Sequence, residues 1–456
     1  MNYEKFDKLV AERTARWIEE LRDYCRIPSE TAALPELKRC ASWTADRLRR
    51  AGATVELIEQ DGVPPLVVGE MGGGDRTLIC VQHYDVQPAA PLELWTTPPY
   101  EPTIRDNKLF ARGASDNKGQ FLLRVQAAEA YQDAIGPLPI RIRFLIEGEE
   151  ESSSRHLGSM LQARPDLTTG DGSLQEGGGL DAEDRPVLVC GVRGLLYVEL
   201  SVRTLDYDAH SGGASLFENS AWRLVDALAT LRRSDGTVTI DGFYDDVREP
   251  TTAQLAHLRT LPFEEARMKA MQGASAFVGG RTGADAQIAQ IFAPTCNIAG
   301  IWSGWTGKDA KTITPAEAHA KIDLRLVPDQ DPERIAAQLR AHLDKRGFSD
   351  IVIRVLGGEH PYWGPIDAPI VDAAERATAA VYGFKPLRTF SSPGTAPQHQ
   401  VCNPQKLPMV AIGYTYPDSR VHAPNEHIRL DLLPKAAMVL GRFFDEFSGT
   451  EPRNGR

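Results

Sequence analysis

Two histidines and several carboxylates in this 456-residue chain stand where metal-assisted chemistry could use them. His83 and Asp85 close the apolar run RTLICVQHYDV two residues apart, so in a strand they face the same side. A carboxylate beside a metal-ligating imidazole commonly fixes its tautomer and raises its basicity. Asp116 sits in RGASDNKG, a glycine-bracketed turn able to hold a carboxylate rigidly. Glu149, Glu150 and Glu151 end a second apolar run, PIRIRFLIEGEEE, and three adjacent carboxylates repel one another unless a cation or solvent relieves them. Glu176 lies in LQEGGG, and His422 in SRVHAPNEH follows the strand-like PMVAIGY. Taken singly, each has a plain structural reading: a satisfied surface pair, an Asx turn, a solvated acidic face, a flexible loop, a turn histidine. Together they supply hard-to-borderline ligands suited to zinc, manganese or cobalt in a hydrolytic site.

The elements that must position these groups follow an α/β rhythm. After two N-terminal helices come strands at TVELIEQ, PLVVGEM and RTLICVQH, a long helix through FLLRVQAAEAYQDA, and strands at PIRIRFLIE and PVLVCGVRG. Near-continuous apolar strands that deliver polar residues at their ends predict an open, mostly parallel sheet flanked by helices, with its site along one edge. From Gly194 the rhythm changes: LLYVELSVRTL alternates like a half-exposed strand, and a helix is expected over Ser220–Arg233. NIAGIWSG, AHAKIDLRLVP and DIVIRVLGG read as three further strands, with a helix at Pro332–Lys345. Residues 238–292 show no clear period. The expectation is a catalytic domain in two parts, residues 1–193 and 359–456, interrupted by an inserted α+β domain over 194–358.

VQHYDVQP, ARGASDNKG, IEGEEES, DAHSG and VHAPNEH, in this order and spacing, resemble the dinuclear metallopeptidase family of aminoacylase, carnosinase (cytosolic nonspecific dipeptidase), acetylornithine deacetylase and succinyl-diaminopimelate desuccinylase. The resemblance runs from the first helix to the last and is nearest the dipeptidase branch. It implies a zinc-peptidase-like catalytic domain with a lid and dimerisation domain, and two divalent ions, zinc or else manganese or cobalt. His83 and Glu176 would hold one ion, Glu151 and His422 the other, and Asp116 would bridge both, with a water between the ions. Asp85 would orient His83, and Glu150 would be the general base, because Glu147-Gly148 sets the register of the family's E-G-x-E-E. Asp171 competes with Glu176, at a longer spacing from Gly191-Val192-Arg193-Gly194 than the family's. His210 resembles a histidine that reaches the partner subunit's site and polarises the scissile carbonyl. Arg325 resembles an arginine that grips a substrate carboxylate, a task suited to a planar guanidinium. Thr312, read as a strand residue, resembles a substrate contact from the partner. Gly394 and Thr395 in SPGTAP match in part the family's glycine-rich substrate loop, and His360 is a further candidate.

Bulk properties narrow the classes. Lys and Arg number 51 against 62 Asp and Glu, and this formal charge of −11 argues against nucleic acid or an anionic membrane as main partner. No apolar run approaches the ~18–20 residues of a membrane span, and no signal peptide is visible. The six cysteines form no CxxC pair and suit reduced core thiols. The reading is a cytoplasmic homodimeric dipeptidase. An N-acyl-amino-acid deacylase, or a hydrolase of another small amide, is the alternative. A non-catalytic binding protein on the same fold is the remote one.

Overall fold

The computed structural model describes residues 3–450. They form two compact units. The first runs to Gly191, resumes over Trp363–Ser392 and again from Pro397; the second comprises Val192–Tyr362 and Pro393–Ala396.

The first unit is built on a nine-stranded mixed sheet. Across it lie Thr54–Ile58, Leu66–Gly72, Arg141–Glu147, Thr77–His83, Gly172–Gln175, Met409–Ala411, Pro186–Val189 and Leu387–Thr389, with Gly179–Leu180 beside Pro186–Val189. The middle four, from Arg141–Glu147 to Met409–Ala411, pair in parallel. All seven residues of Thr77–His83 are buried, as expected of a strand with both faces covered. The sheet carries Lys118–Ala134, whose buried residues run all round the helix, and this helix packs against Glu4–Cys25 and Leu432–Ser448. Phe443, Phe444 and Phe447 drive the last helix into the same core. Because the central strands are parallel, their carboxyl ends open onto one edge. His83 ends one strand, Glu147 the next, and Gln175 a third.

The second unit is a four-stranded antiparallel sheet in the order Asn297–Ser303, Glu317–Leu326, Gly194–Arg203, Val352–Glu359. Alternate residues of the two central strands are buried, one face of each joining Leu224 and Ala227 of Ser220–Ala229 and Leu339 and Leu343 of Pro332–Lys345. Residues 238–292 contain three short helices, Thr252–Leu258, Glu265–Gln272 and Gly283–Phe292. Glu265–Gln272 buries no residue, so an apolar stripe has no role there and the sequence shows none.

Candidate metal centre

The three parallel strands and the loop after Met409–Ala411 bring the first unit's predicted residues together. His83 is buried at its strand end, with Nδ1 3.2 Å from the Asp85 carboxylate and 3.0 Å from the Asp85 carbonyl. Its Nε2 lies 3.0 Å from Asp116 Oδ1, 3.1 Å from Glu176 Oε2 and 3.9 Å from Glu150 Oε2. His422 Nε2 lies 3.0 Å from Asp116 Oδ2 and 3.1 Å from Glu151 Oε2. Asp116 therefore turns one oxygen to each histidine. The Asp85 carboxylate does two things, facing His83 with one oxygen and accepting the Glu151 N–H at 3.1 Å with the other. Asp171 stands at the opposite end of the Gly172–Gln175 strand, where it accepts the Thr77 N–H at 2.8 Å and faces Arg76 at 3.2 Å. Of these two acids, Glu176 is the one brought to His83.

The cluster is electrostatically crowded. Burial pushes the Glu150 carboxyl well above the usual range, and Glu176 adds to it; Glu151 is raised by burial and by Asp116. Burial opposes charge on both imidazoles, yet Glu176 and the hydrogen bonds to Asp116 and Asp85 hold His83 well above its ordinary value. Against the same opposition, Asp116 and Glu151 raise His422 to about 10. Asp116 is held well below the carboxylate range by its two histidines, although burial works the other way. Protons on the histidines thus neutralise acids that a cation would neutralise equally well. Glu151 Oε1 is buried with no hydrogen-bond partner among the described residues. A buried carboxylate oxygen without a donor, on an acid grouped with His83 and Asp116, fits a divalent metal. Ligand atoms of His83, Asp116 and Glu151 fall within 4.8 Å of one another, as do those of His83, Glu150 and Glu176.

The remaining predicted residues belong to the second unit and form two groups within it. His210 pairs with Ile313 in a short antiparallel ladder, and the Ser211 N–H donates to the Thr312 carbonyl at 3.1 Å, so His210 and Thr312 are neighbours. Thr312 lies just before the Ile313–Thr314 strand rather than on it. The second group is Arg325, whose guanidinium donates to Thr395 Oγ1 at 2.7 Å, and Gly394, whose carbonyl accepts the Arg193 N–H at 3.0 Å. Arg193 spends its guanidinium on the carbonyls of Ala293, Gln290 and Ile291, and burial, with Arg325 adding, lowers it to about 10. His360 Nε2 lies 3.4 Å from Glu333.

Sequence reasoning missed three supporting residues. Glu426 is fully buried and accepts the N–H groups of Gly113, Ser115 and Asp116 at 2.9–3.0 Å and the Arg112 guanidinium at 2.8 Å. It ties the Asp116 turn to the segment that carries His422. Asn117 donates to Glu176 at 2.9 Å, and Gln87 to Glu151 at 3.0 Å. All three lie inside the quoted motifs, VHAPNEH, GASDNKG and VQHYDVQP, so adjacency to a ligand was the available signal.

A helix-flanked sheet with acids and histidines gathered at its carboxyl edge, joined to an α+β unit, defines the chain as a metallohydrolase. Residues 80–446 match the model of Peptidase family M20/M25/M40, and the chain belongs to that family. It is similar to the Beta-Ala-His dipeptidase of Mus musculus, 27% identical over 95% of this chain and 93% of the relative. It is also similar to the Cys-Gly metallodipeptidase dug1 of Schizosaccharomyces pombe, 26% identical over 99% and 100%. Among solved structures it resembles the M20 family metallo-carboxypeptidase Sso-CP2 from Sulfolobus solfataricus, with 33% identity, a TM-score of 0.90, and 95% and 99% of the two chains covered. Human carnosine dipeptidase 1 superposes with a TM-score of 0.85 at 26% identity over 98% and 100%.

Proposed function

We propose that this metallopeptidase hydrolyses the peptide bond of dipeptides bearing a free C-terminal carboxylate, with two divalent ions, zinc foremost, in the first unit. The observation that carries the reading is Asp116, offering one oxygen beside His83 and the other beside His422. His83 and Glu176 would hold one ion, His422 and Glu151 the other, with Asp116 available to both. When bound, the ions supply Lewis acidity to the scissile carbonyl and make water a competent nucleophile near neutral pH. Glu150 stands 3.9 Å from His83 Nε2, farther than the ligand contacts, and acts as general base. It takes the attacking water's proton on a carboxylate oxygen and passes it to the leaving amine. Asp85 fixes the His83 ring through Nδ1.

The second unit supplies substrate contacts. His210 Nδ1 accepts the Gly212 N–H at 3.0 Å, which leaves the neutral ring its proton on Nε2. From a partner subunit, that N–H meets the developing oxyanion, and Thr312 beside it contacts the substrate. Arg325, steadied by Thr395 in the loop that also contains Gly394, grips the substrate carboxylate. A homodimer through the second unit is supported by exposed Trp222 and Val225 on one helix and exposed Ile298, Ile301 and Trp302 on the edge strand Asn297–Ser303. A cytoplasmic location is supported by six free, buried cysteines. No described helix is long and apolar enough to cross a membrane.

The likeness to a metallo-carboxypeptidase supports a second reading, removal of the C-terminal residue from longer peptides. A panel of dipeptides, C-amidated dipeptides, longer peptides and N-acetyl amino acids, assayed with the zinc-loaded protein, tests both. The expected order puts free dipeptides first. N-acetyl amino acids turned over faster than any dipeptide would replace this reading with the deacylase.

A further inference from the structure

The second unit carries an open cavity of about 670 Å³, with Arg232 exposed at its rim and Arg281 half-buried, lined by none of the metal-centre or substrate-contact residues named above. Its size falls within the range of small-molecule sites. Part of its wall comes from the stretch whose sequence shows no period, through Tyr244, Val278, Arg281 and Ala289. The apolar lining includes Leu228, Leu231, Val278 and Ile322, with Ile298 at the margin it shares with the edge-strand face assigned above to a partner subunit.

Two guanidiniums converge in this cavity. Gly236 takes a φ of +92°, and a Cβ there would lie 2.7 Å from Val278 Cγ1, 3.4 Å from Arg281 Nη1 and 3.7 Å from Arg232 Nη2. The missing side chain keeps the space between the two arginines open. Neither guanidinium has a hydrogen-bond or ion-pair partner among the described residues. The nearby acids each hold a hydrogen bond of their own, and none lies within ion-pair distance of either guanidinium, although the charge of Arg281 helps the Thr237 N–H to lower the Asp235 carboxyl. Asp323, which lines the cavity, takes the Asn297 amide at 2.7 Å, and Asp235 takes the Thr237 N–H at 2.8 Å. A pair of unengaged guanidiniums recognises an oxyanion, and the apolar wall beyond them accepts a hydrocarbon body.

We propose that this cavity is a second ligand site, separate from the metal centre, which binds a small organic carboxylate with an apolar body between Arg232 and Arg281. The proposal stands independently of the peptidase reading.

Calorimetric titration of the metal-loaded full chain with 3-phenylpropionate tests it, with 3-phenylpropanol as the uncharged analogue and inorganic phosphate as the anion without a body. Saturable binding is expected for the carboxylate, with both controls weaker by roughly tenfold or more. The doubly substituted chain Arg232→Gln/Arg281→Gln should lose affinity by roughly tenfold or more while melting like the wild type, because neither side chain holds another group. Arg325→Gln should leave the binding unchanged. Wild-type affinity in the double variant, loss confined to Arg325→Gln, or no saturable binding would each overturn the site. Phosphate binding as tightly as 3-phenylpropionate would overturn the ligand class.

Discussion

Replacing Glu426 tests whether one buried carboxylate assembles the metal centre. The side chain is inaccessible to solvent and accepts three backbone N–H groups and the Arg112 guanidinium, itself buried. Glu426→Ala leaves that guanidinium with the Pro88 carbonyl at 3.2 Å and strips the three N–H groups of their acceptor. Breaking a buried ion pair costs about 3–5 kcal/mol, and each buried donor left unmade costs about 1–3 kcal/mol unless water reaches it. A loss of about 4 kcal/mol or more is therefore expected, a large part of the ~5–15 kcal/mol that holds a domain folded. Glu426→Gln keeps the shape and one acceptor oxygen. Burial pushes the Glu426 carboxyl up, against Arg112, so a neutral group is tolerated better than the four bonds alone suggest. We expect this variant to fold with a loss of about 2–4 kcal/mol, because either orientation of the amide sets its NH2 against two of the four donors, and to bind zinc more weakly, because the Asp116 turn has lost an anchor. Urea unfolding followed by tryptophan fluorescence, with zinc titration of the Gln variant, reads both quantities. Near wild-type stability for Glu426→Ala, or unchanged zinc affinity for Glu426→Gln, would refute the reasoning.

Glu150→Gln should keep its fold and metal while losing roughly 10²–10⁴ in kcat, the usual contribution of a general base; wild-type turnover would remove Glu150 from that role. In the metal-free protein His422 carries a proton up to about pH 10, so zinc must displace it. Zinc affinity should thus rise with pH below that value, and titration heats should depend on the buffer's ionisation enthalpy; heats equal in all buffers would contradict this. Arg325→Lys should raise KM for free dipeptides while leaving C-amidated ones unaffected, a split that kinetics on paired substrates would reveal. Equal mixing of inactive Glu150→Gln and His210→Ala chains should restore about a quarter of wild-type activity, since half the dimers then hold one complete site; no recovery after demonstrated subunit exchange would exclude action across the interface.

Much of the site was readable because parallel strands advertise themselves. The fully buried run through Thr77–His83 announces a strand end, and residues placed there in sequence are placed there in space. Pro332–Lys345 was equally plain, with Asp331 accepting the Arg334 N–H and Pro332 opening the helix. Glu176 and Asp171 stand at opposite ends of a four-residue strand, a separation that the loop sequence does not display. What stayed hidden was long-range. Nothing local shows that Glu426 is buried under Asp116, or that Gly394 and Thr395 pair with Arg193 and Arg325. The helices between Val238 and Phe292 escaped because short, largely exposed helices leave no stripe to read.

The first unit's interrupted chain also has a consequence for biosynthesis. Met409–Ala411 slots beside Gly172–Gln175 only after the whole second unit has been translated, and His422 and Glu426 follow it. A nascent polypeptide still on the ribosome at Tyr362 already carries His83, Asp116, Glu150, Glu151 and Glu176, yet it lacks the histidine that faces the other oxygen of Asp116. A product terminated there lacks a member of the metal centre proposed above, which is completed only when the last part of the first unit has been made.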